Sequence, residues 1–147
     1  MTTDDASNAF DRLDTFGIYQ LACELFHDFW ADSEILGEDY RGRELLKQPV
    51  RSLDSICANS EEGYGRGFNQ EMPQHLKIAR SKARESRGRY LRSGHLLTAD
   101  LIQKRVATLH HIIGGLTNTI RSIEPKQLPV TRAAAARHPP LATRDSP

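Results

Sequence analysis

Cysteine is nearly missing from this chain. Cys23 and Cys57 are the two in 147 residues, too few for a disulfide scaffold and in keeping with a reducing compartment. No apolar run approaches the roughly 20 residues that a membrane-spanning helix requires, so no membrane association is expected. Met1 to Asn8 holds acids but neither a basic leader nor an apolar segment; no secretory signal is expected, and a cytoplasmic location is. No stretch alternates apolar and polar residues for long enough to predict a strand. The common catalytic signatures are absent too: there is no Gly-x-Ser-x-Gly elbow, phosphate-cradling glycine loop or His-Glu-x-x-His pair. Gly63-x-Gly65-x-Gly67 follows a helical pattern instead of a strand, which reads as a turn and not as a dinucleotide fingerprint. The expectation is a protein that is not an enzyme and carries no cofactor.

What the chain does have is charge, sorted by position. The net charge of +1 conceals ten acids against Arg12 alone in residues 1–40, and nine acids against nineteen Lys and Arg thereafter. A split of this kind bears on partners and assembly more than on fold. It can be answered inside the monomer, across a subunit interface or by an external polyanion.

Four segments repeat apolar residues at the three- and four-residue spacing of a helical face. The first spans about residues 14–31, through Ile18, Tyr19, Ala22, Cys23, Phe26, Phe29 and Trp30, with Glu24, Asp28 and Asp32 as an acidic stripe on the other side. A polar link at residues 38–42 leads to the second, about residues 44–62, where Pro49 predicts a kink or a true start near Gln48. Gly63 and Gly65 then read as a C-terminal stop. The third, about residues 70–92, opens with Asn69 as a cap and Pro73 near the first turn. The fourth runs from about 98 to 122 and ends before Pro125, and its mid-helix pair Gly114-Gly115 predicts close approach by a neighbouring helix. Residues 124–147, rich in Pro, Ala and Arg, read as a flexible tail, and residues 1–12 as a flexible acidic one. Four such helices with short links predict an all-α, antiparallel up-down four-helix bundle over residues 13–123.

Ser55-Ile56-Cys57-Ala58-Asn59-Ser60-Glu61-Glu62-Gly63-Tyr64-Gly65-Arg66 resembles the S-I-x-x-N-x-x-E-G-x-G-R signature of the bacterial four-helix-bundle proteins encoded within 23S rRNA intervening sequences. Leu76-Lys77-Ile78-Ala79 with Glu85 resembles that family's third-helix segment, Tyr19 to Leu25 its first-helix pattern, and Leu45-x-x-Gln48 its second-helix entry. The resemblance covers about residues 13–123. It implies an up-down bundle, self-association into a ring of roughly five subunits, and an RNA-associated role without catalysis. The accessory proteins of diversity-generating retroelements resemble the same family, and by that likeness a reverse transcriptase-like partner joins RNA as an expected partner.

The main functional clue in the residues themselves is a basic stripe. Residues 71–92 carry Lys77, Arg80, Lys82, Arg84, Arg87, Arg89 and Arg92 against Glu71 and Glu85. Spacings of three, four and three place Lys77, Arg80, Arg84 and Arg87 on one helical face, where guanidiniums can track phosphates without reading bases. The alternative is a face that answers the acids of the first helix, in the same molecule or in another copy, so that charged flanks drive homo-oligomer assembly without nucleic acid. Arg66 either extends the stripe or pairs with Glu62. Ser55, Asn59, Glu62, Gly63, Gly65 and Glu85 read as structural, with Asn59 and Glu62 bonding loop amides at the corner between the second and third helices. Tyr64, Phe68 and Tyr90 are either packing residues or base-stacking platforms. Glu24-x-x-His27 is half of a di-iron pattern with no second half; Cys23 and His27, one turn apart, could bind zinc with Cys57, yet both cysteines sit on apolar faces and read as core. No metal site is expected. His110 and His111 read as one core-edge and one exposed imidazole.

Overall fold

The computed structural model describes residues 12–65 and 71–124. A 3-10 turn, Arg12–Thr15, precedes α1 (Gly17–Glu38), α2 (Tyr40–Leu45), α3 (Lys47–Gly65), α4 (Met72–Leu91) and α5 (Ala99–Ile123). Among the described residues there is no strand, and no helix is long and apolar enough to cross a membrane. Four of the helices are long, as the periodicity predicts. The tails expected at 1–12 and 124–147 fall almost wholly outside the described residues, as do Arg66, Phe68 and Asn69.

The boundaries follow local chemistry. The first helix runs seven residues beyond its expected end and closes where Asp39 turns extended; the Asp39 side chain then accepts the Arg41 backbone N–H at 2.8 Å and starts α2. The polar link is thus largely helical, because Asp39 satisfies a first-turn donor that would otherwise be orphaned. Gly42 makes α2 possible at this angle: a Cβ there would overlap the Leu36 carbonyl. Pro49 sits in the first turn of α3, where its missing N–H leaves nothing unpaired. Gly63 does not stop that helix, which runs on through it and ends, among the described residues, at the expected Gly65. A Cβ at Gly63 would come within 3.2 Å of the His75 Cβ, so this glycine admits the first turn of α4. Thr98 caps α5 by accepting the Leu101 N–H at 3.3 Å.

Around one core, α1 packs against α3 and α5, and α4 packs against α3 and α5. Leu25 and Phe29 of α1, Leu53 and Ile56 of α3, Leu76 of α4, and Leu109, Ile112 and Leu116 of α5 are fully buried. Ala79 and Ala83 are completely buried on α4, and such small side chains let a neighbouring helix approach closely. Between these helices the Ser86 hydroxyl donates to Ser52 Oγ at 2.8 Å, and Ser52 in turn donates to the Pro49 carbonyl at 3.2 Å. At Gly115 a Cβ would overlap Ile18, whereas Gly114 faces open space; one glycine of the pair marks the expected close approach and the other does not.

Contacting pairs run in opposite order along neighbouring helices. Tyr19 and Cys23 of α1 meet Glu61 and Cys57 of α3. Gln48, Ser52 and Asn59 of α3 meet Arg89, Ser86 and His75 of α4. Lys77 and Arg80 of α4 meet Glu124, just past α5, and Thr117.

Candidate nucleic-acid interface

On α4 the buried stripe through Leu76, Ala79, Ala83, Ser86 and Tyr90 faces the core, leaving the cations on two flanks. Toward α3, Lys82 Nζ lies 3.0 Å from Glu85 Oε2, and Arg89 donates to Glu85 Oε1 at 2.7 Å and to Gln48 Oε1 at 3.3 Å. Hydrogen bonds from Arg89 and Lys82 hold the Glu85 carboxyl below its ordinary range. One carboxylate therefore answers both cations on this side.

The flank toward α5 carries Lys77, Arg80, Arg84 and Arg87, the four residues predicted to share a face. Lys77 pairs with Glu124. Arg80 donates to the Thr117 hydroxyl at 3.3 Å, and its Nε is buried without an acceptor among the described residues. Arg84 is exposed and Arg87 half-exposed, and neither pairs with an acid among the described residues. Three of the four guanidinium or ammonium groups on this seam therefore keep their charge unanswered by a described carboxylate.

The first helix does not supply the missing counter-charge. Asp32, expected on an exposed acidic stripe, is 1% exposed. Arg105 of α5, itself buried, donates from Nε to Asp32 Oδ2 at 2.8 Å and from Nη2 to Oδ1 at 3.0 Å. Its third arm reaches Asp28 Oδ2 at 2.9 Å, and the Tyr90 hydroxyl donates to Asp32 Oδ2 at 2.7 Å. Burial, and then the bond to Asp32, raise the Tyr90 pKa well above its ordinary value. The bidentate pairing raises that of Arg105. Tyr90 is thus a buried polar strut and not a stacking platform. Sequence reasoning passed over this network, although a signal exists: Asp32 continues the Leu25, Phe29, Leu36 spacing, and Arg105 sits between Ile102 and Leu109 at core positions.

Of the motif residues, Asn59 and Gly63 face α4 across the α3–α4 seam. Asn59 donates from Nδ2 to the Ser55 carbonyl at 2.9 Å and to its hydroxyl at 3.0 Å, and its Oδ1 lies 3.4 Å from His75 Nδ1. Asn59 therefore bonds within its helix and across to α4; most of the loop whose amides it is expected to reach lies outside the described residues. Glu62 is exposed, and Gly65 has open space where a Cβ would sit. Tyr64 stacks on Phe16 with centroids 4.9 Å apart, a packing role. His110 and His111 are both exposed, in place of the expected core-edge and exposed pair. Among the described residues no three His, Cys, Asp or Glu side chains converge as metal ligands.

Comparison with known proteins gives no match to a protein-family model, to a curated protein or to a solved structure.

Proposed function

We propose that this chain is a non-enzymatic, self-associating up-down four-helix bundle of the cytoplasm that holds nucleic acid by its phosphate backbone along the α4–α5 seam. The opposite order of contacting pairs on neighbouring helices supports the up-down topology. The signature around Asn59 and Gly63 supports a place beside the 23S rRNA intervening-sequence proteins and an RNA-associated role.

The observation that carries the reading is the uncompensated seam: Arg80, Arg84 and Arg87 aligned beside Lys77, with Asp28 and Asp32 of α1 bonded to Arg105. Guanidiniums arrayed along a helix offer forked donors to successive phosphates. Nothing in such an array reads base edges, so the expected partner is structured RNA bound through shape and charge. Arg66, outside the described residues, extends the set in sequence.

Filter binding with structured RNA tests the reading. Four phosphate contacts predict that affinity falls roughly 10²-fold between about 50 and about 200 mM salt. The double reversal Arg84→Glu with Arg87→Glu should abolish binding while leaving the melting temperature unchanged, both side chains being on the surface. Absence of binding at the lower salt, or binding indifferent to the reversal, refutes it.

A second reading has its own observation. Glu24, Glu34 and Glu38 of α1 are exposed, and Trp30 among them is 56% exposed, an acidic face with an apolar anchor that a basic flank of another copy can cover. On that reading the same double reversal disperses the oligomer in sedimentation and no RNA binds to the parent protein.

A further inference from the structure

We propose that Cys23 and Cys57 form a modification site, a paired dithiol that a hydroperoxide converts into an intramolecular disulfide stapling α1 to α3. These are the two cysteines of the whole chain, on different helices and 34 positions apart, yet the Cys23 thiol donates to Cys57 Sγ at 3.9 Å. One turn further along the same two helices, the Tyr19 hydroxyl donates to Glu61 at 2.7 Å, which fixes the axial register of α1 against α3 and holds the sulfurs opposite one another. Closing the gap to the roughly 2.05 Å of a disulfide requires the two side chains to move toward each other. No third thiol exists to exchange with.

The two sulfurs differ in surroundings, and the difference assigns their order. Cys23 is half-buried, whereas Cys57 is 7% exposed, so Cys23 is the more accessible of the two. Burial is the main cause that pushes the Cys57 thiol well above its ordinary value, so it stays protonated and waits. Cys23, giving its proton to solvent, attacks one peroxide oxygen. A sulfur–oxygen bond forms, the oxygen–oxygen bond breaks, and the departing hydroxide takes up a proton as water. Cys57 sulfur then attacks the sulfenic sulfur of Cys23. The sulfur–sulfur bond forms, the sulfur–oxygen bond breaks, and hydroxide leaves with the Cys57 proton as a second water. The two thiols lose two electrons and two protons in all, and the hydroperoxide is reduced by the same two electrons.

The experiment uses the full chain treated with hydrogen peroxide, then denatured, alkylated and weighed intact. The expected product is lighter than the reduced protein by two hydrogen atoms, takes up no alkylating reagent, runs as a single chain on a non-reducing gel and returns to two free thiols with dithiothreitol. It also melts at a higher temperature than the reduced form, because the cross-link restricts the unfolded chain. In Cys57→Ser the reaction should stop at Cys23, with the sulfenic acid captured by dimedone. Two alkylatable thiols after peroxide, a Cys23 sulfinic acid beside a free Cys57, or a cross-link between two chains each overturns the proposal. The parent protein reports all three outcomes even if the serine variant misfolds.

Discussion

Arg105→Met is the most informative single change to this fold. Methionine keeps the length and the apolar stem of the side chain but removes three donors, leaving the Asp32 carboxylate, 1% exposed, with the Tyr90 hydroxyl alone. Removing one partner of a buried pair costs about 3–5 kcal/mol, because the remaining charge can neither ionise comfortably nor reach water. Against a total stability of about 5–15 kcal/mol this is a large fraction. For a helical domain of this size it corresponds to a drop of roughly 10–20 °C in melting temperature. Asp28→Ala is the internal control: its side chain is 50% exposed, and loss of its contact should cost no more than about 1 kcal/mol. The triple variant Asp32→Leu, Arg105→Met, Tyr90→Phe removes every polar member of the buried set together. It should recover most of the loss, since an apolar replacement of a buried pair is often neutral or stabilising. Thermal and chemical denaturation followed by circular dichroism measure all three. A melting temperature for Arg105→Met within about 2 °C of the parent refutes the reasoning, as does a triple variant no more stable than the single.

Two further predictions concern glycine and tyrosine. Gly114→Ala should stabilise by about 0.5–1 kcal/mol through helix propensity alone, since its Cβ meets nothing, whereas Gly42→Ala should destabilise and release α2 from α1, since its Cβ overlaps the Leu36 carbonyl; thermal melts of the pair, with opposite signs expected, check both. Tyr90 has a folded-state pKa raised above its ordinary 10.0, so above that pH the unfolded chain sheds a proton that the folded chain retains. Stability contributed by Tyr90 is therefore whole below pH 10 and declines as pH rises past it. Urea midpoints compared between about pH 9 and about pH 11 should fall less steeply in Tyr90→Phe than in the parent, and an identical slope contradicts the assignment.

How much of this was legible beforehand depends on which interactions a one-dimensional pattern can carry. The four long helices were, because Leu25, Phe29, Leu53, Ile56, Leu109 and Ile112 recur at the period of a helix that buries one side. The alignment of Lys77, Arg80, Arg84 and Arg87 on one flank followed from the same geometry. The link at residues 38–42 was misread because its polarity suggested a loop, while an Asp39 side chain bonded to Arg41 and a glycine packed on a carbonyl make it helical. Asp32 was misread for a different reason. A carboxylate is placed on the surface by default, and only the position of Arg105, 73 residues away, says otherwise. Gly63 reads as a helix stop in sequence because the space a glycine vacates is visible only once His75 is packed against it. The facing of Cys23 and Cys57 likewise depends on the pairing of two helices, which no local spacing encodes.

The Asp32–Arg105 bridge also determines where α1 and α5 stand along each other. Helices joined by leucine and isoleucine alone have several acceptable alignments, separated by a turn of about 5.4 Å, in each of which methyl groups meet methyl groups. With one carboxylate and one guanidinium fixed opposite each other in hydrocarbon, a slip of a single turn strands both ions among side chains that offer them nothing. The bundle is thereby keyed, and the wrong alignments are rejected by their charge instead of their shape.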